Sequence, residues 1–76
     1  MNNQRRKRLQ EAKEQLEQVL FTIQEVRDEE QESFDNMPEG LQTSERGEKM
    51  EENVSELENI DSDIQNILDT IENLLQ

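Results

Sequence analysis

The chain has 76 residues, 29% of them hydrophobic and 37% charged, with a formal net charge of −12. Cysteine and histidine are absent, which excludes a disulfide framework, thiolate or imidazole metal sites and histidine-based acid–base catalysis. No apolar run approaches the roughly 18 residues of a membrane span, and the basic start Arg5-Arg6-Lys7-Arg8 is not followed by the apolar stretch of a secretory signal. The expected compartment is therefore the cytoplasm.

So little apolar residue with so much charge is also the composition of a disordered chain, and only the placement of the apolar residues argues otherwise. Residues 1–8 read as a basic N-terminal arm. Residues 9–34 read as a first helix, because Leu9, Ala12, Leu16, Val19, Ile23 and Val26 follow one another at alternating spacings of 3 and 4, with Leu20 widening the stripe. Residues 35–43 read as a turn. Within them, Pro38 disfavours helical geometry at Met37 and Gly40 tolerates positive φ.

Residues 44–76 read as a second helix. Met50, Asn53, Leu57, Ile60, Ile64, Ile67, Ile71 and Leu74 repeat the same alternation, and Val54, Leu68 and Leu75 lie beside it. Three successive heptads are nearly copies of one another: Leu57-Glu58-Asn59-Ile60, Ile64-Gln65-Asn66-Ile67 and Ile71-Glu72-Asn73-Leu74. Thr43 or Ser44 supplies the N-cap, and Gly47 is expected to weaken the first turn.

The fold class predicted from this pattern is all-α: an antiparallel two-helix hairpin in a single domain. The two stripes match in length, each about 45 Å at 1.5 Å per residue. Folding back at residues 35–43 would set Leu9 against Ile71, Leu16 against Ile64, Val19 against Ile60 and Ile23 against Leu57. The stripes are wider than a two-helix seam needs, so dimerisation into a four-helix bundle or coiled-coil-like assembly is expected, with a larger ring as the alternative. Asp61 falls among the widening positions. It either sets the register or lies at the solvent edge, and the edge is the simpler expectation.

Charge is unevenly placed. Residues 1–13 carry a net +4 and residues 14–76 a net −16. In a hairpin, Asp28, Glu29, Glu30, Glu32, Asp35, Glu39, Glu45 and Glu48 gather at the turn, with Glu51 and Glu52 behind them. They are either a solubilising surface or a partner-binding one. Carboxylates spaced along a rigid helix can occupy a cationic groove built for nucleic acid, so DNA mimicry is one such role. Asp35-Asn36-Met37-Pro38-Glu39-Gly40 lacks the alternating ligand spacing of a calcium loop, and no cofactor is expected.

Arg5, Arg6, Lys7 and Arg8 form the opposite pole. Cations at a helix N-terminus oppose its dipole, so they either balance the C-terminal end of the second helix, near Asp69 and Glu72, or form an anion-binding site for a nucleotide or nucleic acid. Without aromatic residues nearby for base stacking, sequence-specific single-strand recognition is not expected, and direct nucleic-acid binding is not the favoured reading. Phe34, Met37 and Leu41 either pack the open end of the hairpin or offer an apolar contact inside the acidic collar. Ser33, Ser44, Ser55 and Ser62 lack a base partner and no glycine-rich phosphate loop is present, so the chain is expected not to be an enzyme.

The stretch from Val26 to Gln42, VRDEEQESFDNMPEGLQ, followed by Ser44 to Glu52, SERGEKMEE, resembles a recurring small acidic protein of tailed bacteriophages. The likeness covers about residues 9–76. Its central block is distinctive and its flanks are generic heptads; Gly40 stands where relatives carry a polar or small residue. The resemblance carries no functional residue over. It implies an accessory protein of the host cytoplasm, of the kind that inhibits bacterial defence or host nucleic-acid enzymes by binding a host protein.

Overall fold

The structure, a computed structural model, describes residues 1–76 as three helices: α1 (Asn3–Asp35), α2 (Glu39–Gln42) and α3 (Glu45–Leu75). α1 and α3 pack antiparallel along their length, giving a rod of 58 × 15 × 14 Å. No helix is long and apolar enough to cross a membrane.

α1 begins where Asn2 caps it: the Asn2 side chain accepts a 2.8 Å hydrogen bond from the Arg5 backbone N–H. Residues 3–8 are therefore the first turns of α1 and not a separate arm. At the other end the Asn36 N–H donates to the Glu32 carbonyl and the Met37 N–H to that of Phe34. Pro38, with φ −54° and ψ 142°, then stops the helix and redirects the chain into the single turn of α2. The turn expected around Pro38 is present, but no residue has positive φ, and Gly40 lies inside α2. The Gln42 side-chain amide folds back to donate 3.0 Å to the Phe34 carbonyl, a second hydrogen bond on the acceptor that the Met37 N–H also reaches.

Ser44 is the N-cap of α3, its hydroxyl accepting from the Gly47 N–H at 3.4 Å and donating to the Leu41 carbonyl. Gly47 is buried. A β-carbon there would lie 2.6 Å from the Gln42 carbonyl carbon and 2.7 Å from the Leu41 oxygen, both backbone atoms. The glycine therefore lets α2 close against the first turn of α3 and does not fray it.

The two helices meet along rows that differ from the expected ones by one position. In α1 the row of partly buried residues runs Arg6, Leu9, Lys13, Leu16, Leu20, Ile23, Arg27, Glu30 and Phe34; in α3 the row of buried and partly buried residues runs Gly47, Met50, Val54, Leu57, Asp61, Ile64, Leu68, Ile71 and Leu75, and Gln24 and Asn53, also partly buried, lie beside these rows. Leu9, Leu16, Ile23, Leu57, Ile64 and Ile71 are inside, as expected. Val19, Val26, Ile60, Ile67 and Leu74 are not, each being 40–52% exposed. Both choices keep the 3–4 alternation. In α1 the observed one turns inward the larger Leu20 and the long aliphatic stems of Lys13 and Arg27, and leaves outside the smaller Ala12, Val19 and Val26.

Register also differs. Arg27 and Gln24 reach Asp61, Lys13 reaches Glu72, and Asn53 reaches Glu30. Had Leu9 met Ile71, Asp61 would lie opposite Val19 and Glu72 opposite Arg8. Every cross-helix side-chain pair is displaced the same way, by between three and eight residues, or roughly one to two helical turns.

Candidate functional site

Three surfaces carry the chemistry that the sequence singles out: one flank of the hairpin, the acidic turn and the basic end. The flank follows from the packing. In an antiparallel pair of heptad helices, the residue just before every second inner-row position (Lys13, Leu20 and Arg27 in α1; Val54, Asp61, Leu68 and Leu75 in α3) lies on the same side as its counterpart in the other helix. On one side this places Ala12, Val19 and Val26 of α1 beside Asn53, Ile60, Ile67 and Leu74 of α3. Val26 and Asn53 indeed line one groove with Leu57. The opposite side carries Glu17, Gln24 and Glu58, Gln65, Glu72. The hairpin thus has one apolar and one polar flank, and the apolar one has no partner within the chain.

The polar side holds the main interhelical network. Asp61 is 7% exposed, so it sits within the seam and not at its solvent edge. Its carboxylate accepts from Gln65 Nε2 at 2.6 Å, Gln24 Nε2 at 3.3 Å and Arg27 Nη1 at 2.9 Å. The Gln65 hydrogen bond, then that of Gln24 and the Arg27 charge, hold the Asp61 carboxyl below the usual range against the opposing effect of desolvation. Lys13 donates to Glu72 at 2.6 Å, a bond that raises its pKa.

At the turn, three of the eight singled-out carboxylates have partners: Asp28 with Arg27 at 3.0 Å, Glu30 with Asn53 at 2.8 Å and Asp35 with Gln31 at 2.9 Å. Glu29, Glu32, Glu39, Glu45 and Glu48 are exposed, and none makes a side-chain hydrogen bond or ion pair. Phe34 and Met37 are half-buried against the open end of the hairpin, while Leu41 is 52% exposed.

At the other pole Arg6 is spent on the fold. Its Nη1 donates to the Leu75 carbonyl at 3.2 Å, and its Nε to that of Met1 at 3.3 Å. The first bond ties the start of α1 to the end of α3, where a cation favours the helix dipole. Arg5, Lys7 and Arg8 remain exposed. Arg5 and Arg8 border the apolar flank, lining a shallow groove with Leu9 and Ala12. Asp69 does not pair with the cluster; the ion pair near that end is Lys13 with Glu72.

Sequence reasoning missed Asp61 as the centre of a buried network and Gly47 as a close-packing position. In both cases the deciding atoms lie on another element. Compared with known protein families, curated proteins and solved structures, the chain matches none.

Proposed function

We propose that this chain is a non-enzymatic interaction protein: a self-associating acidic hairpin that binds a host protein which processes nucleic acid or defends the cell, and inhibits it by standing in for DNA. The resemblance to small acidic phage proteins supports a role in a bacterial cytoplasm. Supporting the reading is the run of carboxylates at the turn, Glu29, Glu32, Glu39, Glu45 and Glu48, held on a 58 Å rod without partners of their own. Carboxylates left free by the fold need break no bond to meet a row of cations, and the helices fix the backbone positions from which they reach.

Affinity capture from a bacterial lysate, followed by elution with duplex DNA, tests the proposal. Proteins held by the chain should be displaced by DNA, and lost when Glu32, Glu45 and Glu48 are changed together to lysine. Capture indifferent to both would reject the decoy role.

A second reading rests on Arg5, Lys7 and Arg8, which the hairpin leaves exposed. They would bind an anionic nucleotide or nucleic acid. Calorimetric titration with cyclic nucleotides and oligonucleotides decides it, since absence of salt-sensitive heat removes it. A purely structural bundle would show neither lysate capture nor ligand heat.

A further inference from the structure

The solvent-accessible surface of the hairpin is 5825 Å². A folded monomer of 9.0 kDa is expected to expose roughly 4,900 Å², so the hairpin shows roughly 1,000 Å² more than a globule of its mass. A standard interface covers about 800 Å² on each partner, close to that excess. Only Val54 and Ile64 are buried apolar side chains, so the chain has almost no closed core of its own. Left outside is the flank of Ala12, Val19, Val26, Ile60, Ile67 and Leu74, whose five larger side chains are each 40–52% exposed.

Charge dictates how two such flanks can meet. Arg8 precedes Ala12 by four residues and Glu29 follows Val26 by three, so both stand on the rim of the α1 apolar row, at opposite ends. Two hairpins side by side with turns together would bring both acidic turns into one place. With turns at opposite ends, α1 of one copy runs antiparallel to α1 of the other about Val19, and Arg8 of each meets Glu29 of its mate. We infer that two copies of this chain pack through this flank with their turns at opposite ends, forming an antiparallel four-helix bundle whose rim is held by reciprocal Arg8–Glu29 pairs.

This inference specifies the self-association in the reading above, and purified chain alone tests it. Glu32 and Glu48, used for the lysate capture, lie off the flank, and Glu45 lines a groove with Asn53 only at its turn end; the association is read on purified chain without those substitutions, so either claim can fail separately. Sedimentation equilibrium of the full chain should give the mass of two 9.0 kDa chains. Val19→Glu and Ile67→Glu should each give the mass of one chain, because both side chains stand on the flank and are about half exposed within a single hairpin. Phe21→Glu, at a 64% exposed residue on another face, should leave the dimer intact. A monomeric wild type, or dimers that survive both flank substitutions, would overturn the interface.

Orientation is read separately. The chain has no cysteine, so Thr43→Cys takes a single spin label at the turn. Pulsed dipolar spectroscopy should give a separation comparable with the 58 Å rod, and labels found side by side would overturn the arrangement. Arg8→Glu should weaken association several-fold, and adding Glu29→Arg should restore it. Failure of that rescue would remove the rim pairing.

Discussion

Arg27 Nη1 lies 2.9 Å from Asp61 Oδ2, joining α1 to α3 at a seam position that an apolar residue would ordinarily fill. The three near-identical heptads of α3 would accept α1 equally well if slid by seven residues. Asp61 removes that degeneracy, because a slid helix would set its carboxylate against Leu20 or Phe34. A buried polar group that specifies register is the best-attested use of such a residue.

Loss of the Asp61 charge should therefore destabilise the hairpin in a pH-dependent way. The native carboxyl titrates below its unfolded value of about 3.9, so its stabilising effect is full above that value and vanishes as pH falls through the native one. Asp61→Asn should melt lower than wild type at pH 7, and the two melting curves, followed by circular dichroism, should converge at acid pH. Comparing the two proteins cancels the general relief of repulsion as other carboxylates protonate. A constant gap down to pH 2 would show that the charge is not what matters.

Gly47→Ala should destabilise the protein although alanine is the better helix former by about 1 kcal/mol. The added methyl meets the backbone of Leu41 and Gln42, which cannot rotate away. Overpacking costs about 1–3 kcal/mol, so a net loss of up to about 2 kcal/mol is expected after the propensity gain. Gly40→Ala, with open space around it, should not lose stability. Urea denaturation of the two variants side by side measures the contrast.

Ile64→Ala should cost about 2–5 kcal/mol, the usual penalty for truncating a buried isoleucine. Phe21→Ala, on the outer surface, should stay within about 0.5 kcal/mol of wild type. Equal losses at both sites in chemical denaturation would contradict the seam described above.

Added salt should raise the melting temperature. With a net charge of −12 and its carboxylates crowded at the turn, the fold is opposed by repulsion over distances that salt screens, the Debye length being about 10 Å at 0.1 M. The exposed attractive pairs, such as Lys49 with Glu52 at 3.9 Å, have little to lose in return. Scanning calorimetry from low to high sodium chloride should show a rise; a fall would mean that attraction dominates.

The helices, their antiparallel packing and the break at Pro38 were legible because heptad spacing and proline chemistry are local. Which of two interleaved rows turns inward was not. Leu9, Leu16, Ile23, Leu57, Ile64 and Ile71 belong to both rows, and a small rotation of each helix exchanges Val19 for Leu20 and Ile60 for Asp61. That rotation depends on bonds made across the seam by Arg27, Gln24 and Lys13, which no single helix displays. Asp61 looked like an edge residue because its neutralising partners lie mostly on α1. Gly47 looked like a weak point because the backbone that needs its missing side chain belongs to α2.

The slender shape of the rod bears on how strong a polyanion the protein can be. Spread over 58 Å, twelve net charges amount to about one per 5 Å, whereas duplex DNA carries one per ~1.7 Å. Two hairpins aligned flank to flank double the charge without lengthening the rod, bringing the spacing to ~2.4 Å. Linear charge density would then follow protein concentration: a dilute chain is a poor imitation of a duplex, and an associated pair approaches one.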